Sequence, residues 1–226
     1  MTDFPFATIG FDLDGTLVDT LDDLAAAVNH ALEGLGRAPL AVERLRPMIG
    51  GGGRHMLAQA AATTGAVDDA ALDAAYARLL VYYEAHIADR SRAFPHLTDA
   101  LDDLLARGVM LAVVTNKQER LAKALLGQLG LIDRFATIIG GDTLGPDRAK
   151  PRPDLLIEML ARCGGPAAFV GDSIYDVEAA HAAGLPVVAC SFGYRQQPVV
   201  ALGADAVIDG YNTLVATLTI LRRTAT

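Results

Sequence analysis

The feature of this 226-residue chain that most limits its possible folds is a regular alternation of short apolar segments with helical patterns. Six apolar segments, rich in β-branched residues, have the length of β-strands. They are residues 6–11, 109–114, 136–139, 167–170, 186–190 and 206–208. From residue 97 onward the intervening segments 97–107, 118–129 and 154–163 have helical periodicity. Apolar strands that alternate with helices predict a parallel sheet covered on both faces, which is a doubly wound, Rossmann-like α/β core.

Residues 20–92 interrupt this alternation. The interval has no convincing strand and shows three helical patterns, over 21–36, 54–65 and 68–88. A βαβ crossover takes about 30 residues, and the interval between the first two strands is about three times as long. We therefore predict an all-helical cap domain, residues 20–92, inserted into an α/β core of residues 1–19 and 93–226. The alternative is an N-terminal helical domain in which the first apolar segment is not a strand.

Charge and composition disfavour several classes of function. The formal net charge of −8 is unsuited to a nucleic-acid-binding face. No apolar segment approaches the roughly 20 residues of a membrane helix, and the start MTDFPF is unlike a signal peptide. The only cysteines, Cys163 and Cys190, lack metal-binding spacing and are interpreted as two buried thiols in a reducing compartment. We expect a soluble, cytoplasmic protein with no nucleic-acid or membrane partner, and the sequence carries no signal for its oligomeric state.

Polar clusters directly follow four of the predicted strands. The clusters are Asp12-Leu13-Asp14-Gly15-Thr16, Thr115-Asn116-Lys117, Gly140-Gly141-Asp142 and Gly171-Asp172-Ser173. Ligands of open parallel sheets bind outside the carboxyl ends of the strands, so we expect these clusters to meet. Asp12 and Asp14 are two apart on an extended segment and point to the same side. Two such carboxylates cannot both ionise cheaply unless they share a proton or a cation.

Two further carboxylates strengthen the case for a cation. Asp172 ends a predicted strand and Asp176 lies near the start of the next helix, so both could reach the same point as Asp12 and Asp14. Four carboxylates favour a hard cation with oxygen ligands, and Mg²⁺ fits because it also takes waters and a phosphate oxygen. Taken singly, Asp14 and Asp176 are equally well explained as turn or N-cap residues. The combination predicts a magnesium site.

Hydroxyl and basic side chains at the same strand ends could bind an anion. Thr115 lies where a strand meets a helix, and its hydroxyl could cap that helix or bind phosphate; the cap is the simpler interpretation of this segment alone. Lys150 is one of only three lysines in the chain and precedes Pro151-Arg152-Pro153, which stiffens its backbone. A compact ammonium on a rigid backbone suits a point-charge partner for phosphate and for Asp12.

Four motifs, in this order, resemble the phosphatase branch of the haloacid-dehalogenase-like hydrolases. They are Asp12-x-Asp14-Gly-Thr-x-x-Asp19, Thr115 after a strand, Lys150-Pro, and Gly171-Asp172-x-x-x-Asp176. The first and last motifs are specific, whereas a threonine after a strand or a Lys-Pro pair is not. The resemblance covers nearly the whole chain, including the cap.

The resemblance implies roles for the matched residues. Asp12 would attack phosphorus and form an aspartyl-phosphate, while Asp14 would protonate the leaving oxygen and then activate water. Lys150 would complete the catalytic set. The implied Mg²⁺ ligands are Asp12, Asp14 through its backbone carbonyl, Asp172 and Asp176. The implied phosphate clamp is Thr115, Asn116 and Lys150.

Softer similarities favour members that hydrolyse 2-phosphoglycolate to glycolate and phosphate. These are the DGTLVDT start, the helical cap, Gly140-Gly141-Asp142-Thr143-Leu144 ahead of Lys150-Pro151, and Gly193-Tyr194 after the fifth strand. The alternatives are a phosphatase of another small phosphate (pyrophosphate, a sugar phosphate or a nucleotide), a phosphomutase, and a non-catalytic phospho-ligand binder. The intact carboxylate set disfavours dehalogenation, and a predicted cap without lysine disfavours Schiff-base chemistry.

A run of glycines in the predicted cap offers a place for substrate recognition. Gly50-Gly51-Gly52-Gly53 cannot form a helix interior and precedes Arg54 and His55. The run is either a plain interhelical loop with Arg54 in solvent or a loop that closes over the site. In the second case we expect Arg54 and His55 to set substrate specificity, with Arg54 pairing with a substrate carboxylate.

Overall fold

The computed structural model describes residues 4–145, 147–195 and 197–221. The described residues form eight strands: β1 (Thr8–Phe11), β2 (Val18–Asp19), β3 (Arg92–Ala93), β4 (Met110–Val114), β5 (Thr137–Ile139), β6 (Ala167–Gly171), β7 (Val187–Cys190) and β8 (Ala206–Ile208). They also form nine α-helices: α1 (Leu21–Gly34), α2 (Val42–Leu45), α3 (Gly53–Ala62), α4 (Asp69–Ala85), α5 (Leu97–Ala106), α6 (Glu119–Gln128), α7 (Asp154–Cys163), α8 (Ile174–Ala182) and α9 (Leu214–Ile220). The outermost residues of the predicted core, 1–3 and 222–226, lie outside this description.

Six strands form one parallel sheet in the order β5-β4-β1-β6-β7-β8. β1 is central, with Phe11 opposite Val113 of β4 on one side and Val170 of β6 on the other. The chain builds outward from β1 first through β4 and β5, and then in the other direction through β6, β7 and β8. The predicted doubly wound α/β core is therefore confirmed. Because β1 is the central strand, the alternative of a separate N-terminal helical domain is wrong.

Both faces of the sheet are buried. Along β4, Leu111 and Val113 belong to one hydrophobic cluster, and Ala112 and Val114 belong to a second cluster on the opposite face. This is the two-residue periodicity of a strand whose side chains alternate between two covered faces. Helices α5, α6 and α9 pack on the first face, and α7 and α8 pack on the second.

The element bounds differ from the sequence predictions mainly at helix ends. All six predicted sheet strands are present, and α7 has the predicted bounds. The first helix ends at Gly34 instead of residue 36, because Gly36 adopts φ +67° and the backbone N–H of Arg37 closes the last turn onto Leu32. A glycine in the left-handed region one step past the last turn is a common helix stop.

A helical cap lies between β2 and β3. Its longest helices, α1 and α4, pack against each other, and both contact α3. The sequence did not predict the small antiparallel ribbon in which Val18 faces Ala93 and Asp19 faces Arg92. Two-residue strands are too short to produce a periodic signal. The ribbon pairs the two segments that connect the core to the cap, at the predicted boundaries between residues 19 and 20 and between residues 92 and 93.

Two further expectations can be compared with the structure. Cys163 is half-buried and Cys190 is buried, and both are free thiols. Among the described residues, no helix combines the length and the apolar character needed to cross a membrane.

Candidate active site

The carboxyl ends of three neighbouring strands carry the predicted site residues. Asp12 directly follows β1 and Thr115 directly follows β4, while Asp172 directly follows β6. The crevice at this edge of the sheet lies at the central strand, where the winding direction reverses and where such sheets bind ligands. The fourth predicted cluster serves a different purpose, because the carboxylate of Asp142 accepts a hydrogen bond from the backbone N–H of Glu119 (2.8 Å) at the start of α6.

Three carboxylates and one lysine form a buried cluster at this edge. Oxygens of Asp12, Asp172 and Asp176 lie within 4.8 Å of one another. The Nζ of Lys150 donates to Asp12 Oδ1 at 2.9 Å, to Asp176 Oδ1 at 2.6 Å and to the carbonyl of Val114 at 2.8 Å. The Lys150 side chain is only 1% exposed. The structure thus brings together residues that are up to 164 positions apart in the sequence.

One lysine does not balance three carboxylates. Burial raises the pKa of Asp12 to about 6, although the charge of Lys150 opposes this increase. Burial raises the pKa of Asp172 well above its ordinary value, and the charges of Asp176 and Asp12 add to the effect. Burial also disfavours the charged form of Lys150, but the two carboxylates beside it prevail and raise its pKa. The excess negative charge and the all-oxygen donor set fit a hard divalent cation such as Mg²⁺.

Additional hydrogen bonds fix two of the carboxylates. Asp172 accepts from the hydroxyl of Thr16 (3.0 Å) and from the backbone N–H of Tyr194 (2.5 Å). Asp176 lies in the first turn of α8. Its Oδ2 accepts hydrogen bonds from the backbone N–H of Asp172 (3.1 Å) and from the backbone N–H (3.0 Å) and hydroxyl (2.6 Å) of Ser173. One oxygen of Asp176 therefore caps α8 while the other faces the lysine, so its helix-capping role and its place in the cluster coexist.

Glycines allow the backbone to approach these carboxylates closely. A Cβ atom at Gly193 would lie 2.3 Å from the Cβ of Asp172. A Cβ atom at Gly15, where φ is +84°, would lie 2.5 Å from Oδ2 of Asp172. A Cβ atom at Gly171 would lie 2.4 Å from the Cβ of Asp176. Such distances leave no room for a side chain, so the carboxylates are held in a cradle that only glycine permits.

The carboxylate of Asp14 faces a second lysine instead of the cluster. The Nζ of Lys117 donates to its Oδ1 (2.8 Å) and Oδ2 (2.7 Å), and the hydroxyl of Thr20 donates to Oδ1 (2.7 Å). The side chain of Asp14 is 12% exposed, compared with 6% for that of Asp12. Both carboxylates line the same cavity, so Asp14 is placed where an acid–base group can reach a substrate.

Lys117 is the main site residue for which the sequence analysis gave no role. The scarcity of lysine that drew attention to Lys150 applies equally to Lys117, since the chain has only three. Burial disfavours the charge of Lys117, but the carboxylate of Asp14 prevails and raises its pKa. A buried lysine paired with a carboxylate beside a cavity is a candidate functional group.

The side chains of Thr115 and Asn116, which lie between β4 and Lys117, make different contacts. The hydroxyl of Thr115 is buried and accepts from the backbone N–H of Lys117 (3.2 Å), which leaves its own proton for an acceptor. The side chain of Asn116 donates to the carbonyls of Gly50 and Lys150, both at 2.9 Å, and accepts from the backbone N–H of Lys150 at 2.8 Å. The amide of Asn116 therefore links the cap loop to the segment that carries Lys150, and its predicted contact with phosphate stays a prediction.

A small cavity of about 50 Å³ lies between the strand ends and the cap. The core lines it with Asp12, Asp14, Thr115, Asn116 and Lys117, among others. The cap lines it with Gly50, Gly52, Met56, Tyr76 and Tyr83, among others. The nucleophile candidate, the acid–base candidate and the cap loop therefore share one enclosed space.

Arg54 and His55, which we predicted to set substrate specificity, do not line this cavity. Arg54 is 46% exposed and pairs with Asp73 (2.8 Å) and Asp69 (3.5 Å) at the surface of the cap. The imidazole of His55 contacts the side-chain amide of Gln59 at 2.6 Å. The specificity role of Arg54 stays a prediction, and it would require the side chain to leave both ion pairs.

The fold and the site define a class of protein, namely a capped α/β enzyme with a buried carboxylate at the end of its central strand. A sequence model of the family described as haloacid dehalogenase-like hydrolase matches residues 9–190. The chain belongs to the haloacid dehalogenase-like hydrolase family.

Similar proteins span nearly the full length of the chain. It is 39% identical over 223 residues to the phosphoglycolate phosphatase of Agrobacterium fabrum, which covers 96% of this chain and 95% of that protein. It is 43% identical over 209 residues to the phosphoglycolate phosphatase of Caulobacter vibrioides, with coverage of 91% and 87%. The crystal structure of a predicted phosphoglycolate phosphatase from Haemophilus somnus superimposes with a TM-score of 0.86 at 30% identity, covering 96% of this chain and 98% of that one.

Proposed function

We propose that this protein is a Mg²⁺-dependent phosphomonoester hydrolase that converts 2-phosphoglycolate to glycolate and phosphate. The observation that carries the proposal is the buried cluster at the central strand end, in which Asp12 contacts Lys150 and lies within 4.8 Å of two further carboxylates. The similarity to two phosphoglycolate phosphatases supports the substrate. The small volume of the cavity, about 50 Å³, supports a small ester. A cytoplasmic location stays a prediction from the sequence.

In the proposed mechanism Asp12 is the nucleophile. With Oδ1 of Asp12 held by Lys150, we assign the attack on phosphorus to Oδ2. The bond between Oδ2 and phosphorus forms while the bond between phosphorus and the ester oxygen breaks, and Asp14 gives a proton to the departing oxygen. Water then loses a proton to Asp14 and attacks the phosphorus of the aspartyl-phosphate. This second step breaks the bond between phosphorus and Oδ2 of Asp12, releases phosphate, restores the carboxylate of Asp12 and leaves Asp14 protonated for the next cycle.

The remaining residues provide charge and orientation. Mg²⁺ would be held by Asp12, the backbone carbonyl of Asp14, and Asp172, with Asp176 contributing directly or through water. When bound, the ion supplies positive charge opposite the phosphate oxygens. Lys150 fixes the nucleophile, and the free hydroxyl proton of Thr115 is available to the phosphoryl group.

The direct test is phosphate release from a panel of esters with and without Mg²⁺. We expect 2-phosphoglycolate to have the highest kcat/KM of a panel that includes pyrophosphate, a hexose phosphate and a nucleoside monophosphate, and we expect release to require Mg²⁺. A higher kcat/KM for another ester would reassign the substrate. Conversion of the hexose phosphate to an isomer would indicate a phosphomutase. Binding without release from any ester would indicate a non-catalytic binder.

Asp12→Asn tests the covalent step. The amide keeps an acceptor for Lys150 and preserves the shape of the side chain, so we expect the melting temperature to change little. We expect kcat to fall by about a thousandfold or more, because the amide cannot act as the nucleophile. Mass spectrometry of acid-quenched protein should detect the phosphorylated aspartate in the wild type only.

The matched control is Asp142→Asn, which changes a carboxylate at a neighbouring strand end that caps α6. Its kcat should stay within about twofold of the wild type. Turnover of a few per cent in Asp12→Asn, free of deamidation, would count against a covalent intermediate.

A further inference from the structure

We propose that Lys117 and Tyr83 form a subsite that binds a carboxylate at the far end of the substrate and so determine which phosphate esters are accepted. The inference rests on the proposed phosphatase function, because it concerns the part of the ester that is not transferred. It assigns recognition to one residue from the core and one from the cap.

Lys117 has the charge and the position for this role. Its Nζ lies at the cavity, 2.8 Å and 2.7 Å from the two carboxylate oxygens of Asp14, and its side chain is 6% exposed. An ammonium group has three N–H donors, so two can serve Asp14 while one serves a ligand. Lys150, in contrast, is committed to Asp12, Asp176 and a backbone carbonyl. Lys117 is therefore the lysine from which a substrate can accept a hydrogen bond.

Tyr83 presents a buried hydroxyl group next to the ammonium of Lys117. Among the described residues it is the one buried side-chain polar group without a hydrogen-bond partner. An unpaired buried hydroxyl destabilises the fold, so its retention calls for an explanation. Burial raises the pKa of Tyr83 to about 12, which keeps the phenol protonated and able to donate. A ligand carboxylate would supply the missing acceptor.

The two side chains are adjacent, although they come from different domains. The Nζ of Lys117 lies 4.7 Å from the centroid of the Tyr83 ring, and both residues line the cavity that contains Asp12. An ammonium and a phenolic O–H together offer two donors to the two oxygens of a carboxylate. Both side chains line the same small cavity as Asp14, so a short substrate could span from the phosphate site to this pair.

The experiment compares 2-phosphoglycolate with ethyl phosphate, which has the same chain length and lacks the carboxylate. The readout is the selectivity, defined as kcat/KM for 2-phosphoglycolate divided by kcat/KM for ethyl phosphate. We expect the selectivity to fall by about tenfold or more in Lys117→Met, because a charge-assisted hydrogen bond is lost. We expect a fall of about two- to tenfold in Tyr83→Phe, seen mainly as a higher KM for 2-phosphoglycolate.

Two variants serve as matched controls. Lys123→Met removes an exposed lysine that pairs with Glu119 on α6, and Tyr82→Phe removes a hydroxyl from a ring stacked between His30 and His86 on the cap. Both should keep the wild-type selectivity within about twofold. Tyr83→Phe should fold normally, because it deletes a hydroxyl that has no partner in the protein, and its melting temperature checks this.

The outcomes separate the subsite from the proposed function. Lys117→Met also removes the partner of Asp14, so equal losses on both esters would show that Lys117 serves only Asp14 and would overturn the subsite. Unchanged selectivity in both variants, with a wild type that prefers 2-phosphoglycolate, would overturn the subsite and leave the proposed function intact. A wild type that hydrolyses ethyl phosphate as well as 2-phosphoglycolate would overturn the proposed substrate together with the subsite.

Discussion

Among single residues, Asp172 is the one at which the excess negative charge of the site is least compensated. Lys150 contacts Asp12 and Asp176, whereas the donors that reach Asp172 from the described part of the chain are neutral, namely the hydroxyl of Thr16 and the backbone N–H of Tyr194. Burying a carboxylate without a cation is costly, and two like charges nearby increase the cost. A bound divalent cation would remove this penalty, so the occupancy of the metal site and the stability of the fold should be linked.

Asp172→Asn should make this link measurable. Without metal, the substitution removes charge repulsion, and an asparagine can still accept from Tyr194 while its amide donates to Thr16. We expect the melting temperature of the metal-free protein to rise by about 2–4 °C, which corresponds to about 1 kcal/mol. Mg²⁺ should raise the melting temperature of the wild type and have little effect on the variant. An Mg²⁺-induced shift of the same size in both proteins would show that Asp172 is not a ligand.

The sequence revealed the residues whose position depends on local pattern and missed those whose position depends on tertiary packing. Asp12, Asp14, Asp172 and Thr115 follow apolar strands directly, so the rule for strand ends in parallel sheets was sufficient to place them. Tyr83 lies near the C-terminal end of α4, in a helix whose sequence gives no sign of which side meets the core. Its part in the cavity depends on how the cap sits on the sheet, and a single sequence does not specify this.

At the scale of secondary-structure elements, Tyr194 connects the segment after β7 to the first helix of the cap. Its hydroxyl accepts from the backbone N–H groups of Thr20 (2.7 Å) and Leu21 (3.0 Å) and donates to the carboxylate of Asp19. The residue before α1, Thr20, provides no side-chain cap of its own. A residue of the core therefore satisfies the exposed N–H groups at the start of a cap helix.

Tyr194→Phe should consequently destabilise the protein. The change removes the acceptor of two backbone N–H groups and a donor to Asp19 while keeping the aromatic ring in place, and only the long contact from the N–H of Leu21 to Asp19 (3.4 Å) remains. We expect the free energy of unfolding to fall by about 1–3 kcal/mol in denaturant titrations. Tyr82→Phe, which removes a hydroxyl from a half-buried ring of the cap stacked between His30 and His86, should change it by less than about 0.5 kcal/mol. Equal effects of the two substitutions would mean that Tyr194 contributes through its ring alone.

The secondary-structure elements that the sequence predicted are those with enough length to show a period. Each sheet strand lies within an apolar segment, and α5, α6 and α7 have strongly one-sided hydrophobic patterns, so their bounds were predicted to within one residue. The helix predicted over 68–88 ends earlier, at Ala85. The ribbon of β2 and β3 and the four-residue helix α2 were not predicted, since segments this short are specified by their neighbours in space.

At the scale of the whole molecule, the cap and the core share a single hydrophobic cluster. Phe11 and Val113 of the sheet belong to the same contiguous cluster as Val28 of α1 and Leu57 of α3. Polar contacts cross the same boundary, since Asn116 of the core holds the carbonyl of Gly50 in the cap loop. The cap and the core are therefore packed together through one hydrophobic cluster.

This shared core predicts that the protein unfolds in one cooperative transition, although the cap helices are inserted between β2 and β3. Unfolding the cap alone would uncover the apolar side chains through which it joins the shared cluster, so a state with only the cap unfolded should be poorly populated. We expect one calorimetric peak for which the calorimetric and van't Hoff enthalpies agree within about 10%. Near-ultraviolet circular dichroism, which samples tyrosines in both cap and core, should give the same midpoint. Two resolved peaks, or midpoints that differ between the probes, would show that the cap folds independently.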